Sequence, residues 1–194
     1  MSNHIFFNLS DLKYVGKNVI IGKTVRIRQP ENVIIGDNTI IDDFTYISCA
    51  MEIGNNCHIA SNVSILGGKG KLIMGNYSTI SNGSSVHCAS SDYKKCSLDL
   101  PSVSENQQFG GEVSDINISD FVVVGAHSCI LPGSNIPEGS TYGAYTLIKP
   151  TSKLLPYHLY VGNNCRDLGE RKGREKFEEF KTGMKRLDKI RYED

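Results

Sequence analysis

"VIIGDNTIIDDFTYI", residues Val33–Ile47, sets Ile35, Ile41 and Ile47 six places apart, with Thr39 and Thr45 four places after the first two. A helix repeats at about 3.6 residues and a strand at 2, so neither puts an aliphatic residue at every sixth place. The column runs on through Ile53, Ile59 and Ile65. It pauses at "GGKGK" (Gly67–Lys71), where three extra residues enter, and resumes at Met74, Ile80 and Val86. After a longer interruption it returns as Ile118, Val124, Ile130, Ile136, Tyr142 and Ile148, and a less regular start is visible at Ile21 and Ile27.

The other hexad positions are patterned too. Four places after the aliphatic residue stands a small or modest one: Thr39, Thr45, Cys57, Val63, Ser78, Ser84, Ser128, Ser134, Ser140 and Thr146. Three places after it come Asn38, Asn56, Asn62, Gly83, Gly133 and Gly139, residue types that tolerate positive φ. A corner every six residues accounts for both. Short strands turn the aliphatic and modest residues inward, and the Asn or Gly bends the chain. This is the hexapeptide signature of a parallel β-helix. Three hexads close a coil of 18 residues, coils stack at about 4.8 Å, and five or six of them make a prism about 25–30 Å tall.

These repeats resemble those of the hexapeptide-repeat acyltransferases, over roughly residues 19–162. "ISDFVVVGAHSCILPGSNIPEGSTYGAYTLIKP" (Ile118–Pro150) is similar to the end of the sugar O- and N-acetyltransferases of the galactoside and maltose acetyltransferase kind. "SSDYKKCSLDLPSV" (Ser90–Val103) resembles a loop of relatives acting on surface-polysaccharide sugars. The resemblance implies an all-β, left-handed parallel β-helix. It also implies an acetyl-CoA-dependent acetyltransferase, a hydroxyl or amine of a sugar (a polysaccharide precursor or a nucleotide-linked sugar) as acceptor, and a homotrimer with its site between prisms. Handedness rests on the resemblance alone, since crossovers in ordinary sheets favour the opposite hand.

Around the prism, residues 1–18 are expected to cap the open end of the stack through Ile5, Phe6, Phe7 and Leu9, because bare strand edges are a liability. Residues 92–117 form one long excursion loop, since deleting them leaves Val86 and Ile118 one hexad apart. A loop of that length in a compact domain is usually functional or disordered, and the resemblance this one carries favours function. Residues 163–194 form a charged tail in which Phe177, Phe180, Met184, Leu187 and Ile190 are spaced for one face of an amphipathic helix. "GGKGK" lacks the G-x-x-x-x-G-K-[ST] spacing of a phosphate loop and reads as a corner extension.

Composition narrows the function. Lys plus Arg and Asp plus Glu are 21 each, so nothing in the charge argues for nucleic acid, which usually demands a basic face. No apolar run reaches the roughly 18 residues of a membrane span, and the first residues lack the features of a secretory signal. A cytoplasmic protein is expected. Its six cysteines, without a C-x-x-C pair, read as reduced thiols rather than disulfides or a zinc cluster.

Acyl transfer from a thioester needs a base to take the acceptor's proton, most often His. Of the five histidines, His4 lies in the cap, His158 beyond the last hexad, and His58 far in sequence from the excursion. His87 follows inward Val86, so it points outward, five residues before the excursion; it is the first candidate base. His127, at a corner one coil above, is the second. Asp92, at the loop root, either orients His87 or acts itself. Aligned on the maltose-type pattern T-A-T-H-P, "VHCASSDY" places Ser90 or Ser91 where that His stands. Cys88 is a poor nucleophile for His87, because adjacent strand residues face opposite ways.

The resemblance places acetyl-CoA along the late coils, where Gly125, Ala126, Gly143 and Ala144 let a pantetheine arm approach the backbone. Lys149, Lys153, Arg166 and Arg171 are the candidates for its phosphates. "GNNCR" (Gly162–Arg166) keeps the Arg of the family's G-N-P-A-[KR] turn but replaces Pro-Ala. No metal is expected: His58, His87 and His127 include no H-x4-H pair of the kind the zinc-dependent γ-class carbonic anhydrases use on this prism. The other class of reading is a non-catalytic β-helix that binds a partner or serves as a scaffold.

Overall fold

The structure is a computed structural model describing residues 6–192, with side chains through residue 183. His4 and Ile5 lie outside the described residues, as do the side chains of Met184, Leu187 and Ile190.

The chain winds into three parallel sheets, one for each face of a triangular prism. The first face stacks Tyr14–Val15, Val33–Ile35, Ala50–Ile53, Lys71–Met74, Ile116–Ile118 and Asn135–Ile136. The second stacks Ile20–Ile21, Ile40–Ile41, His58–Ile59, Thr79–Ile80, Val123–Val124, Thr141–Tyr142 and His158–Val161, closed by antiparallel Arg166–Glu170. The third stacks Arg26–Ile27, Tyr46–Ile47, Ser64–Leu66, Ser85–His87, Cys129–Ile130 and Leu147–Ile148. Ile35 pairs with Ile53, Ile41 with Ile59 and Ile47 with Ile65, so one coil is three hexads, as the spacing requires.

Every member of the aliphatic column from Ile35 to Ile148 is buried. The modest positions are buried as well, and their hydroxyls have a job at the corners. Ser84 Oγ donates to the Gly125 carbonyl at 3.1 Å and accepts from the Ser128 amide at 3.2 Å. Ser128 repeats this one coil on, donating to Gly143 O at 3.3 Å and accepting from Thr146 N at 3.2 Å. A hydroxyl column thus satisfies backbone groups that the short strands leave unpaired in the core. On the first face the same position is large: Val33, Met51, Leu72 and Ile116 are all fully buried. The interruptions hide this second apolar column from a six-residue count.

Asn38, Asn56, Asn62, Gly83, Gly133 and Gly139 all have positive φ. Phe44, Tyr77, Phe121, His127, Tyr145 and Tyr157 adopt it too, at about 1–3 kcal/mol of strain each. Tyr77 stacks on Phe121 with ring centres 5.3 Å apart, and the helix Arg174–Tyr192 lays Phe177 and Phe180 over them. That helix therefore covers the corner between the first and second faces. Inside the same corner, Asp37, Asn55, Asn76 and Asp120 each accept, through a side-chain oxygen, a backbone amide of the coil before, at 2.7–2.9 Å.

Phe7 and Leu12 are buried under the first coil, and Phe6 is half exposed. Tyr142 and Tyr160, stacked at 5.4 Å, close the far end beneath the antiparallel pair. The excursion leaves the prism after His87 and regains the first face at Ile116, several residues earlier at its root than residue 92. Counting hexads cannot see that Ala89–Ser90 pairs antiparallel with Glu112–Val113 and so belongs to the excursion. "GGKGK" is the corner beneath it. Gly67, at φ +137, lies so close to Cys88 and Ala89 that a Cβ there would meet their backbone at 2.7 Å.

Candidate active site

A cleft of about 680 Å³ opens between the root of the excursion and the outer side of the third face. His87, Ser91, Asp92 and Tyr93 line it on the departing strand, Gly111 and Glu112 on the returning strand. Leu131, Pro132, Lys149 and Pro150 line it from the two later coils. His87 reaches it because Val86 beside it is buried and successive strand residues alternate. Burial holds the His87 imidazole below its ordinary value of 6.5, so the ring is neutral at pH 7 and able to accept a proton.

The two strands of the excursion root pair side by side as an antiparallel ribbon that forms one wall of the cleft. Asp92 Oδ1 accepts the amides of Lys94 at 2.9 Å and Lys95 at 3.2 Å, so among the described residues it is engaged by its own turn rather than by His87. Ser91 Oγ donates to Asp99 Oδ2 at 3.1 Å, and Gly111, at φ +78, packs against that carboxylate. Glu112 escaped the sequence reading. The signal available was topological: the returning root of an excursion must lie across from the departing one. Cys88 is fully buried, and its contact with Cys49 together with burial pushes its thiol well up, so it is no nucleophile.

His87, Asp92 and Lys149 are the sequence candidates brought together here. His127 stands at the opposite corner of the third face, exposed, its ring stacked on Tyr145 at 5.1 Å. Gly125, Ala126, Gly143 and Ala144 share that corner. There the glycines have a packing reason: a Cβ on Gly125 would sit 2.5 Å from Tyr142 O and 2.6 Å from Ala144 N. Lys153 and Arg166 are exposed beyond the last full coil. Arg171 is bound into the fold, its guanidinium donating to Gly139 O and lying 5.5 Å from the Phe177 ring centre.

The cleft therefore offers a neutral base, carboxylates suited to an ammonium, and ammonium groups of Lys94 and Lys149 suited to phosphate, beside an apolar wall. Among the described residues no three His, Cys, Asp or Glu side chains gather as a metal site, and no helix is long and apolar enough to cross a membrane.

The family described as bacterial transferase hexapeptide (six repeats) matches residues 32–67. The dTDP-4-amino-4,6-dideoxy-D-glucose acyltransferase of Escherichia coli is 29% identical over 162 residues, 82% of each chain. AntD, an N-acyltransferase from Bacillus cereus solved with dTDP and 3-hydroxybutyryl-CoA, superposes with a TM-score of 0.83 at 29% identity, over 95% of this chain and 99% of that one. A serine-to-cysteine variant of AntD, in complex with dTDP-4-amino-4,6-dideoxyglucose and coenzyme A, is 30% identical with a TM-score of 0.79, over 93% and 98% of the two chains. A maltose O-acetyltransferase from Clostridium difficile 630, at 18% identity and TM-score 0.53 over 84% and 72%, shares the fold.

Proposed function

The chain belongs to the hexapeptide-repeat sugar acyltransferases, and on that premise we propose that it moves an acyl group from acyl-coenzyme A to the amine of a nucleotide-linked amino sugar. The observation that carries this reading is His87: a half-buried, neutral imidazole in a cleft of about 680 Å³, where the reacting ends of two substrates can meet. The acceptor enters as an ammonium, attracted by the carboxylates of Asp92 and Glu112, and loses a proton to solvent water. The amine then attacks the thioester carbonyl, forming the C–N bond as the C–S bond breaks. His87 takes the proton released in this step and returns it to the departing thiolate. Both substrates are bound together, so no covalent enzyme intermediate is needed. An amine is favoured over a hydroxyl because the E. coli and B. cereus relatives are named for, or solved with, an aminosugar nucleotide.

Lys149 holds a phosphate of the acyl-CoA, with Leu131, Pro132 and Pro150 as the wall along its arm. Acetyl is the acyl group that the resemblance implies; 3-hydroxybutyryl, bound by AntD, is the larger one to test beside it. We place the reaction in the cytoplasm, where acyl-CoA and nucleotide sugars are made, and the working unit is a homotrimer. The purified protein is incubated with acetyl-CoA or 3-hydroxybutyryl-CoA and dTDP-4-amino-4,6-dideoxyglucose, and free CoA thiol is read. Turnover is expected, and His87→Ala should lower kcat by about 10²-fold or more. Acyl-CoA binding without turnover on any amino or neutral sugar would support the non-catalytic reading instead.

A further inference from the structure

The outer side of the third face continues below the cleft, and its lower end is charged. Val25 and Ile27 are buried, so Arg26 and Arg28 both point outward, about 7 Å apart along the strand. The Arg26 guanidinium lies between two rings, 5.7 Å from the centre of Phe6 and 5.9 Å from that of Tyr46. Aromatic faces hold a cation in place without neutralising it. Among the described residues neither arginine makes an ion pair. Two guanidinium groups on one face, one held by aromatic rings and neither ion-paired among the described residues, present paired N–H donors, a geometry that fits phosphate oxygens bidentately.

The ladder connects this end to the cleft. Arg26 pairs with Tyr46, Tyr46 with Ser64 and Ser64 with Ser85, and His87 follows two residues after Ser85. Three rungs separate the arginines from His87, about 14 Å. Ser48, Ser64 and Ser85 face outward along that way, so much of the floor between is small hydroxyl side chains. A hexose and a diphosphate laid end to end span a length of that order.

We propose that Arg26 and Arg28 bind the diphosphate of the nucleotide-linked acceptor, with its sugar amine at His87. This rests on the function proposed above and deepens it. The two anionic substrates then approach along one face from opposite ends, acyl-CoA from Lys149 and the nucleotide sugar from Arg26, and their reactive groups meet at His87.

Isothermal titration with thymidine diphosphate, with inorganic pyrophosphate and with acetyl-CoA tests this on the full chain. Arg26→Ala and Arg28→Ala should each weaken thymidine diphosphate and pyrophosphate by about tenfold or more, leaving acetyl-CoA affinity and Tm within error of wild type. In turnover the acceptor KM should rise while kcat holds. Arg26→Lys should recover part of the loss, since it restores charge but not the fork. Arg28 touches neither ring, so its variant keeps the test valid if Arg26→Ala loosens the first coil. Equal binding of thymidine diphosphate by wild type and both variants would overturn the inference and leave the acceptor class standing. No binding of thymidine diphosphate by the wild type would overturn both.

Discussion

At the scale of single residues, position and protonation decide what His87 does. Its ring is outward because Val86 is inward, and partial burial disfavours the imidazolium. The neutral fraction therefore persists below the ordinary value of 6.5, and kcat/KM should carry a limb whose midpoint lies under that value, separate from the higher limb of the acceptor's own ammonium. The lower limb retained in His87→Ala would assign the base elsewhere. Gly125 makes a second residue-scale case. A methyl there meets backbone of the next coil at 2.5 Å, and backbone cannot swing aside as a side chain can. Gly125→Ala should cost about 1–3 kcal/mol in urea denaturation, with or without acyl-CoA present. The resemblance reads this glycine as room for a pantetheine arm, whereas its contacts within the coil stack already require it.

At the scale of elements, the coil is held by two kinds of column. Aliphatic residues fill the axis, and buried hydroxyls bridge successive corners. Ser128 both donates to Gly143 O and accepts from Thr146 N, so Ser128→Ala strands the buried Thr146 amide, while Gly143 O keeps the Thr146 hydroxyl at 2.6 Å. It should lower unfolding free energy by about 1–3 kcal/mol without moving the acceptor KM; a neutral effect would mean the corner relaxes or admits water. Such columns were legible because the sequence repeats them: Ile35, Ile41 and Ile47 state the period, and Asn38 and Gly83 mark corners. Phe121 and Tyr77 were not legible as corners. Bulky residues at positive φ contradict local preference, and the stacking and helix contacts that offset their strain come from residues 44 to about 100 positions away in sequence. Met51, Leu72 and Ile116 were hidden in the same way, since the extra residues of "GGKGK" and the excursion break the count just before two of them. Within the site, His87 and Asp92 could be read from their nearness to the excursion. Glu112 and Lys149 enter the cleft only through coil stacking and the antiparallel root, neither of which has a local signature.

At the scale of the whole molecule, the three corners of the prism are used differently. The helix Arg174–Tyr192 covers one, the excursion and cleft occupy the second, and the third carries the His127–Tyr145 stack in the open. The excursion leaves Tyr93 92% exposed, Leu100 52%, Phe109 57% and Val113 57%, a concentration of apolar surface that its own chain does not cover. If the homotrimer proposed above is the working unit, a neighbouring prism would cover that surface and fix the loop that walls the cleft. Light scattering of the purified protein should then give three times the 21.4 kDa chain mass. Phe109→Asp places a charge on the covered surface, at a site where the side chain contributes little to its own prism. It should shift the mass toward one chain and lower turnover by about tenfold or more, because burying an unpaired carboxylate in an interface costs several kcal/mol. Far-ultraviolet circular dichroism should stay unchanged, since the coils fold within one chain. A Phe109→Asp protein that keeps both the trimer mass and full turnover would show that the loop is not the contact, and a fully active wild-type monomer would show that each prism carries a complete site of its own.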